Sequence, residues 1–209
     1  IVLGYASEIE DTVSLPEATR KQAGIIRRYS EKLKNLVADL NLTTKLEYSI
    51  QPLQKQKIDP VELARQVVSE VLNDGISELY ELELSEDNPG KNLSLVGDQA
   101  LLSRMLNNLI RNCIVHNPDG CTIQVSVGSC DAMCTFSVTD NGYGISEPQL
   151  NALNSGKDIS STQKQTGETE HGLGLKIVMQ IVKAHQGIIQ FADTIPHGLS
   201  IHISLPMKL

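Results

Sequence analysis

A heptad-like seam near the start of the chain constrains its fold more than any other feature. Ile26, Tyr29, Leu33, Leu36 and Leu40 recur at intervals of 3, 4, 3 and 4, with Arg27, Arg28, Glu31, Lys32 and Lys34 off the seam. Ahead of it, Val2, Ala6, Ile9 and Val13 step by 4, 3 and 4, which predicts a shorter first helix. Ser14-Leu15-Pro16-Glu17 between them reads as a capping box, with Pro tolerated in the first turn because its missing N–H has no partner there. Two helices of this size bury little between themselves. The hairpin of residues 1–50 is therefore expected to pair with a second copy as a four-helix bundle.

The seam then stops. Residues 51–56, Gln-Pro-Leu-Gln-Lys-Gln, are polar, carry a Pro and read as a linker. From 57 to 209 the pattern mixes helix and strand. Asp59-Pro60 starts a helix with Val61, Ala64, Val67, Val68 and Val71 on one face. Tyr80–Leu84 alternates apolar and acidic residues as a half-buried strand does, and Leu93–Val96 follows a turn. Leu101–Ile114 and Leu173–His185 read as long helices, the second stopped by Gly187. Thr122–Val127, Met133–Thr139, Ile188–Phe191 and Leu199–Leu205 read as strands. The class is α+β: a two-layer α/β sandwich preceded by a helical hairpin.

Composition excludes some functions. With 25 Asp+Glu against 18 Lys+Arg the net charge is −7, which disfavours a nucleic-acid surface. No apolar run approaches the roughly 18 residues of a membrane span, and nothing resembles a signal peptide. The thiols at 113, 121, 130 and 134 fall in unlike elements and read as reduced, buried cysteines rather than zinc ligands.

Three places in the second domain are more polar than packing requires. Asn108 and Asn112 are four apart, so their amides point the same way from a helix whose other side carries Leu102, Met105, Leu106, Leu109, Ile110 and Cys113. Neutral amide oxygens suit Mg²⁺ that still carries phosphate oxygens, although a solvated helix face explains the pair equally well. Asp140-Asn141-Gly142-Tyr143-Gly144 directly follows an apolar strand. There a carboxylate can accept from an amino group while the glycines allow a flat ligand close to the backbone. His171-Gly172-Leu173-Gly174-Leu175 opens a helix, where free N–H groups and the dipole favour phosphate. Neither glycine pair completes a dinucleotide fingerprint, and no P-loop occurs. Between them, residues 154–170 form a polar stretch with Ile159 as its one aliphatic side chain.

In this order the chain resembles the sensor histidine kinases of bacterial two-component systems. Leu106-Asn-Asn-Leu-Ile-Arg-Asn112 resembles their N box, and Asp140-x-Gly-x-Gly144 the first glycine box. Gly172-Leu-Gly-Leu175 resembles the second, and the polar stretch the ATP lid. The related topoisomerase, mismatch-repair and chaperone ATPases have Glu where Asn108 stands. The resemblance implies a Bergerat-type ATP-binding domain over 57–209, with ATP and Mg²⁺ as ligands. It implies that Asn112 holds Mg²⁺, with Asn108 beside it as the second catalytic residue, orienting water or metal. Asp140 would accept from the adenine amino group, with Gly142, Gly144 and Ile145 around the base and His116 stacking on it. Gly172, Leu173, Gly174 and Leu175 would hinge the lid and face the phosphates, and Lys157 would be a lid cation. Ser200 stands where the family often has a Thr near adenine.

Departures from the family pattern are equally specific. Val115 replaces a usual Lys or Arg, His116 a usual aromatic residue, and Glu170 the first Gly of the second glycine box. Lys157 and Lys164 are the only cations between Ser146 and His171. The five His are 116, 171, 185, 197 and 202, none in the hairpin, where the family carries its phosphoacceptor. His185, His197 and His202 read as structural. The expectation is the cytoplasmic catalytic core of a membrane-anchored kinase, cut downstream of its acceptor, acting as a homodimer with a response regulator. A non-catalytic nucleotide sensor or scaffold on the same fold is the alternative; a kinase for Ser of an anti-sigma partner is disfavoured by the hairpin.

Overall fold

The computed structural model describes residues 1–48, 52–87, 93–155 and 173–208. By its internal packing the chain divides into two compact units, Ile1–Lys45 and Leu46–Leu209.

In the first unit, α1 spans Val2–Asp11 and α2 spans Glu17–Glu47. Val13 does not join the first helix as its spacing predicts. The chain turns extended at Thr12, and Val13 is 81% exposed. The second helix starts at Glu17, with the Pro16 carbonyl accepting from the N–H groups of Thr19 and Arg20. Small residues make the buried contacts here: Ala6, Ala23 and Gly24. A Cβ at Gly24 would approach the Glu10 carboxylate to 2.8 Å, so the glycine lets Glu10 come close. Arg27 donates to Glu10 at 2.6 Å and to Glu31 at 3.2 Å, and holds the Glu10 carboxyl below its ordinary range. Within this unit the seam residues Ile26, Tyr29, Leu33 and Leu40 stay more than half exposed, and only Leu36 is half-buried. The hairpin leaves its apolar stripe uncovered by its own residues.

The second unit is a two-layer α/β sandwich. Strand β1 (Gln56–Ile58) pairs antiparallel with β3 (Leu95–Gly97), so the fold begins within the segment expected to be a linker. A five-stranded sheet contains β2 (Tyr80–Glu86), β4 (Cys121–Cys130), β5 (Met133–Asp140), β6 (Ile188–Asp193) and β7 (Leu199–Pro206). Their order is β2-β4-β5-β7-β6, with β2 parallel to β4 and the other pairs antiparallel. Alternation along the strands decides the layers. Ile123, Val125 and Val127, then Cys134, Phe136 and Val138, then Ile201, Ile203 and Leu205 form buried rows on one face. Helices α3 (Pro60–Asn73), α4 (Gln99–His116) and α6 (Leu173–Ala184) supply the complementary stripes: Leu63, Val67 and Val71; Leu102, Leu106 and Leu109; Ile177, Val178 and Ile181. The other sheet face carries Ser126, Ser137, Thr139 and His202. Asp59 caps α3 as expected, accepting from the N–H groups of Val61 and Glu62.

A short helix absent from the sequence reading, α5 (Glu147–Asn154), opens with Ser146 and Gln149 in a capping arrangement. At its end Asn154 donates to the Phe191 carbonyl at 2.9 Å and accepts from the Phe191 N–H at 3.0 Å. The amide thus occupies backbone groups on the outer edge of the sheet. Cys113, Cys121 and Cys134 are buried; Cys130, expected with them, is exposed at the end of β4. Burial pushes the Cys134 thiol up to about 12. Among the described residues no helix is long and apolar enough to cross a membrane.

Candidate functional site

The inward row of β5 ends in a carboxylate. Cys134, Phe136 and Val138 fill the core, and Asp140 continues the same alternation, so its side chain turns under the helices, 6% exposed. There it lies beside thiols of α4 and β4. The Cys113 thiol is pushed well up, first by burial and then by the charge of Asp140 and a hydrogen bond to it. Cys121 is raised by burial and by the same carboxylate. Both thiols are held protonated. One carboxylate oxygen of Asp140 accepts from the Gly142 N–H at 2.9 Å.

The loop after Asp140 is packed from two sides. Gly142 is glycine because Asn117 occupies the space a Cβ would need, with Asn117 Oδ1 only 1.8 Å from that position. Asn117, 3% exposed, accepts from the Tyr143 N–H at 2.9 Å and donates to the Cys113 carbonyl at 2.8 Å. From the β6–β7 turn, His197 Nδ1 donates to the Gly142 carbonyl at 2.7 Å. Gly144 takes φ +68° and lies against Gly198, whose own φ of +127° no larger residue adopts readily. Ile145 follows, half-buried, and the Tyr143 hydroxyl bonds to Asp119.

On α4, Asn108 and Asn112 are half-buried and face the start of α6, so the pair does not lie on a solvated helix face. A Cβ at Gly174 would lie 3.5 Å from Asn112 Oδ1 and 3.9 Å from Asn108 Oδ1. Gly174 and the N-box amides, separated by some sixty residues, thus meet. Asn108 Nδ2 is buried, and among the described residues it has no hydrogen-bond partner. A buried amide donor left unmatched costs roughly 1–3 kcal/mol, which an arriving acceptor such as a phosphate oxygen or water relieves. The amide oxygens of Asn108 and Asn112 are the hard, neutral donors magnesium accepts, so these residues fit that ion. Leu173 and Leu175 form the first turn of α6 beside Gly174, both half-buried.

Ser200 is on the sheet face opposite Asp140, bonded to Thr139 Oγ1 at 2.7 Å and His202 Nε2 at 2.9 Å. Alternation forces this, because its neighbour Ile201 is in the buried row. His116 is exposed at the last position of α4. Lys157 and Gly172 lie outside the described residues, as do His171, Lys164 and Glu170. His185 is structural, as read: 1% exposed, its Nδ1 donates to the Ile181 carbonyl and its Nε2 accepts from the Asp98 N–H at 3.0 Å. Asp98 in turn caps α4 through the Leu101 N–H. Asn117, which the sequence does not single out, and His197, which reads as structural, both hold the loop that follows Asp140. Asn117-Pro-Asp-Gly120 announces a turn, but nothing local shows which strand end the Asn amide reaches.

Comparison with known proteins identifies the family. Residues 97–209 match the family model described as histidine kinase-, DNA gyrase B-, and HSP90-like ATPase. Sensor histidine kinase YvrG of Bacillus subtilis is 29% identical over 191 residues, 90% of this chain and 32% of that protein. Among solved structures, full-length ShkA in complex with AMPPNP superposes with a TM-score of 0.76 at 22% identity, covering 98% of this chain and 42% of that one. Histidine kinase ThkA in complex with response regulator protein TrrA gives 0.66 at 21%, covering 99% and 56%. The chain spans about a third of the length of YvrG, and at these identities the two structures speak for the fold alone.

Proposed function

Because this chain belongs to the histidine kinase-, DNA gyrase B-, and HSP90-like ATPase family, we propose that its second unit binds Mg-ATP in the cleft between β5 and the N-terminus of α6. We propose further that in the whole protein it phosphorylates a histidine of a dimerisation helix, for relay to an aspartate of a response regulator. The observation that carries the reading is the convergence of Gly174 on Asn108 and Asn112, with the Asn108 donor buried and unmatched among the described residues. Asp140 supports the other end, as a buried acceptor with one oxygen held by Gly142.

In this reading the adenine amino group donates to Asp140, and the loop 142–145 lies along the base. Asn108 Nδ2 donates to a phosphate oxygen or to water. The first turn of α6, whose N–H groups have no partner within the helix, presents them toward the triphosphate. Asn112, with Asn108 beside it, would hold magnesium, which would supply positive charge to the phosphates. No side chain of the cleft acts as a covalent nucleophile; the domain positions ATP and the acceptor histidine attacks. The first unit acts as a dimerisation hairpin, its exposed seam of Ile26, Tyr29, Leu33 and Leu40 meeting a second copy.

One observation favours a second reading, a nucleotide-binding sensor without transfer activity. Val115 stands exposed where the family carries a cation, and Arg111 does not substitute for it. Its guanidinium is tied to Asn107 and Asp74, both at 2.7 Å. Incubating the chain with γ-labelled Mg-ATP and a separate helical protein bearing an acceptor histidine separates the two. Transfer reads as acid-labile label on the supplied histidine and none on this chain. Binding without label on the acceptor supports the sensor.

A further inference from the structure

We propose that Asn117 is a positioning residue that fixes the aim of Asp140 and thereby the preference for adenine over guanine; the proposal rests on the nucleotide site described above. Asn117 ends α4, the helix that carries Asn108 and Asn112, and its amide reaches the loop that follows Asp140. The partners fix which way the amide lies: the Cys113 carbonyl can only accept and the Tyr143 N–H can only donate. With Gly142 pressed against it, the amide leaves the 142–143 peptide one position. His197 holds the carbonyl of that peptide from the other side. The Gly142 N–H, fixed by these contacts, holds one oxygen of Asp140. The other oxygen is then directed at the base.

Asn117 thus links the phosphate end of the cleft to its base-reading end without touching nucleotide. Adenine offers an amino donor where guanine offers a carbonyl oxygen, so a rigidly aimed carboxylate accepts the first and repels the second. A carboxylate on a loosened loop discriminates less. Loss of Asn117 should weaken base reading while leaving triphosphate binding in place.

The test uses the full 209-residue chain and its Asn117→Ala and Asn117→Ser variants, titrated with Mg-ATP, Mg-GTP and magnesium tripolyphosphate. The expected result is an ATP affinity lower by about tenfold, a narrowed ATP-to-GTP ratio, and tripolyphosphate affinity within about twofold of the parent. An unchanged ATP-to-GTP ratio overturns the proposal, as does an equal loss of tripolyphosphate binding, which is the mark of a general structural role. If the parent chain binds tripolyphosphate but not ATP in preference to GTP, the reading of Asp140 fails first. Hydrogen exchange on the unaltered chain needs no variant. Tyr143 has an exposed side chain, so a protected Tyr143 amide reports the Asn117 bond, and free exchange there overturns the proposal.

Discussion

Gly174→Ala should separate the stability of the fold from its capacity to hold nucleotide. Gly174 is the second residue of α6. A Cβ added there meets Asn112 Oδ1 at 3.5 Å, Asn108 Oδ1 at 3.9 Å and Asn108 Cγ at 4.0 Å, all ordinary contacts. The methyl therefore fits without moving a neighbour among the described residues. Replacing Gly by Ala in a helix is worth up to about 1 kcal/mol, and about half of that near a helix end. For a domain of this size the melting temperature should rise by about 1–2 °C. The same methyl fills the space that the two amide oxygens share with α6. If phosphates and magnesium enter that space, Mg-ATP affinity should fall at least about tenfold, or about 1.4 kcal/mol. Thermal denaturation and calorimetric titration of the two proteins side by side read both quantities. A stable Gly174→Ala variant that binds Mg-ATP as tightly as the parent would place the phosphates elsewhere and refute the reasoning.

Three further predictions follow from the site and its supports. Asp140→Asn keeps the shape of the side chain but offers the base an amide in place of a carboxylate, so ATP affinity should drop about tenfold with tripolyphosphate binding unaffected; equal ATP affinity contradicts the adenine role. His185 has its pKa pushed down by burial, so as pH falls through the ordinary histidine value of about 6.5 the unfolded chain gains a proton that the folded chain resists. Stability is then full above that pH and declines below it. Urea denaturation at about pH 8 and about pH 5.5 should show a larger loss for the parent than for His185→Gln, and equal losses would remove His185 as the cause. Leu33→Glu places a charge in the uncovered seam and should turn a dimer into a monomer by sedimentation equilibrium; a monomeric parent contradicts the dimer.

Much of this was legible because the polar residues interrupt strong periodicities. Asn108 and Asn112 stand out against the apolar stripe of α4, and Asp140 against the alternation of β5, so spacing alone marks them as needing a reason. The same alternation, applied one step further, also places Ser200 on the far side of the sheet, next to Thr139. The contact of Gly174 with the two Asn side chains was not legible, since it depends on how α6 packs on α4 rather than on either helix alone. Asn117 was hidden for a like reason. Its partners are a carbonyl one turn back and an N–H 26 residues on, and only the tertiary fold brings them together. The first helix failed at its end: Val13 fits the helical step, yet the backbone turns extended at Thr12.

The measurement that bears most directly on the central claim is calorimetric titration of the whole chain with ATP, with and without magnesium. One site per chain is expected, with binding strengthened by magnesium and lost in the Asn112→Ala variant while its melting curve is retained. No heat of binding in the parent, or the same affinity in Asn112→Ala as in the parent, would contradict it.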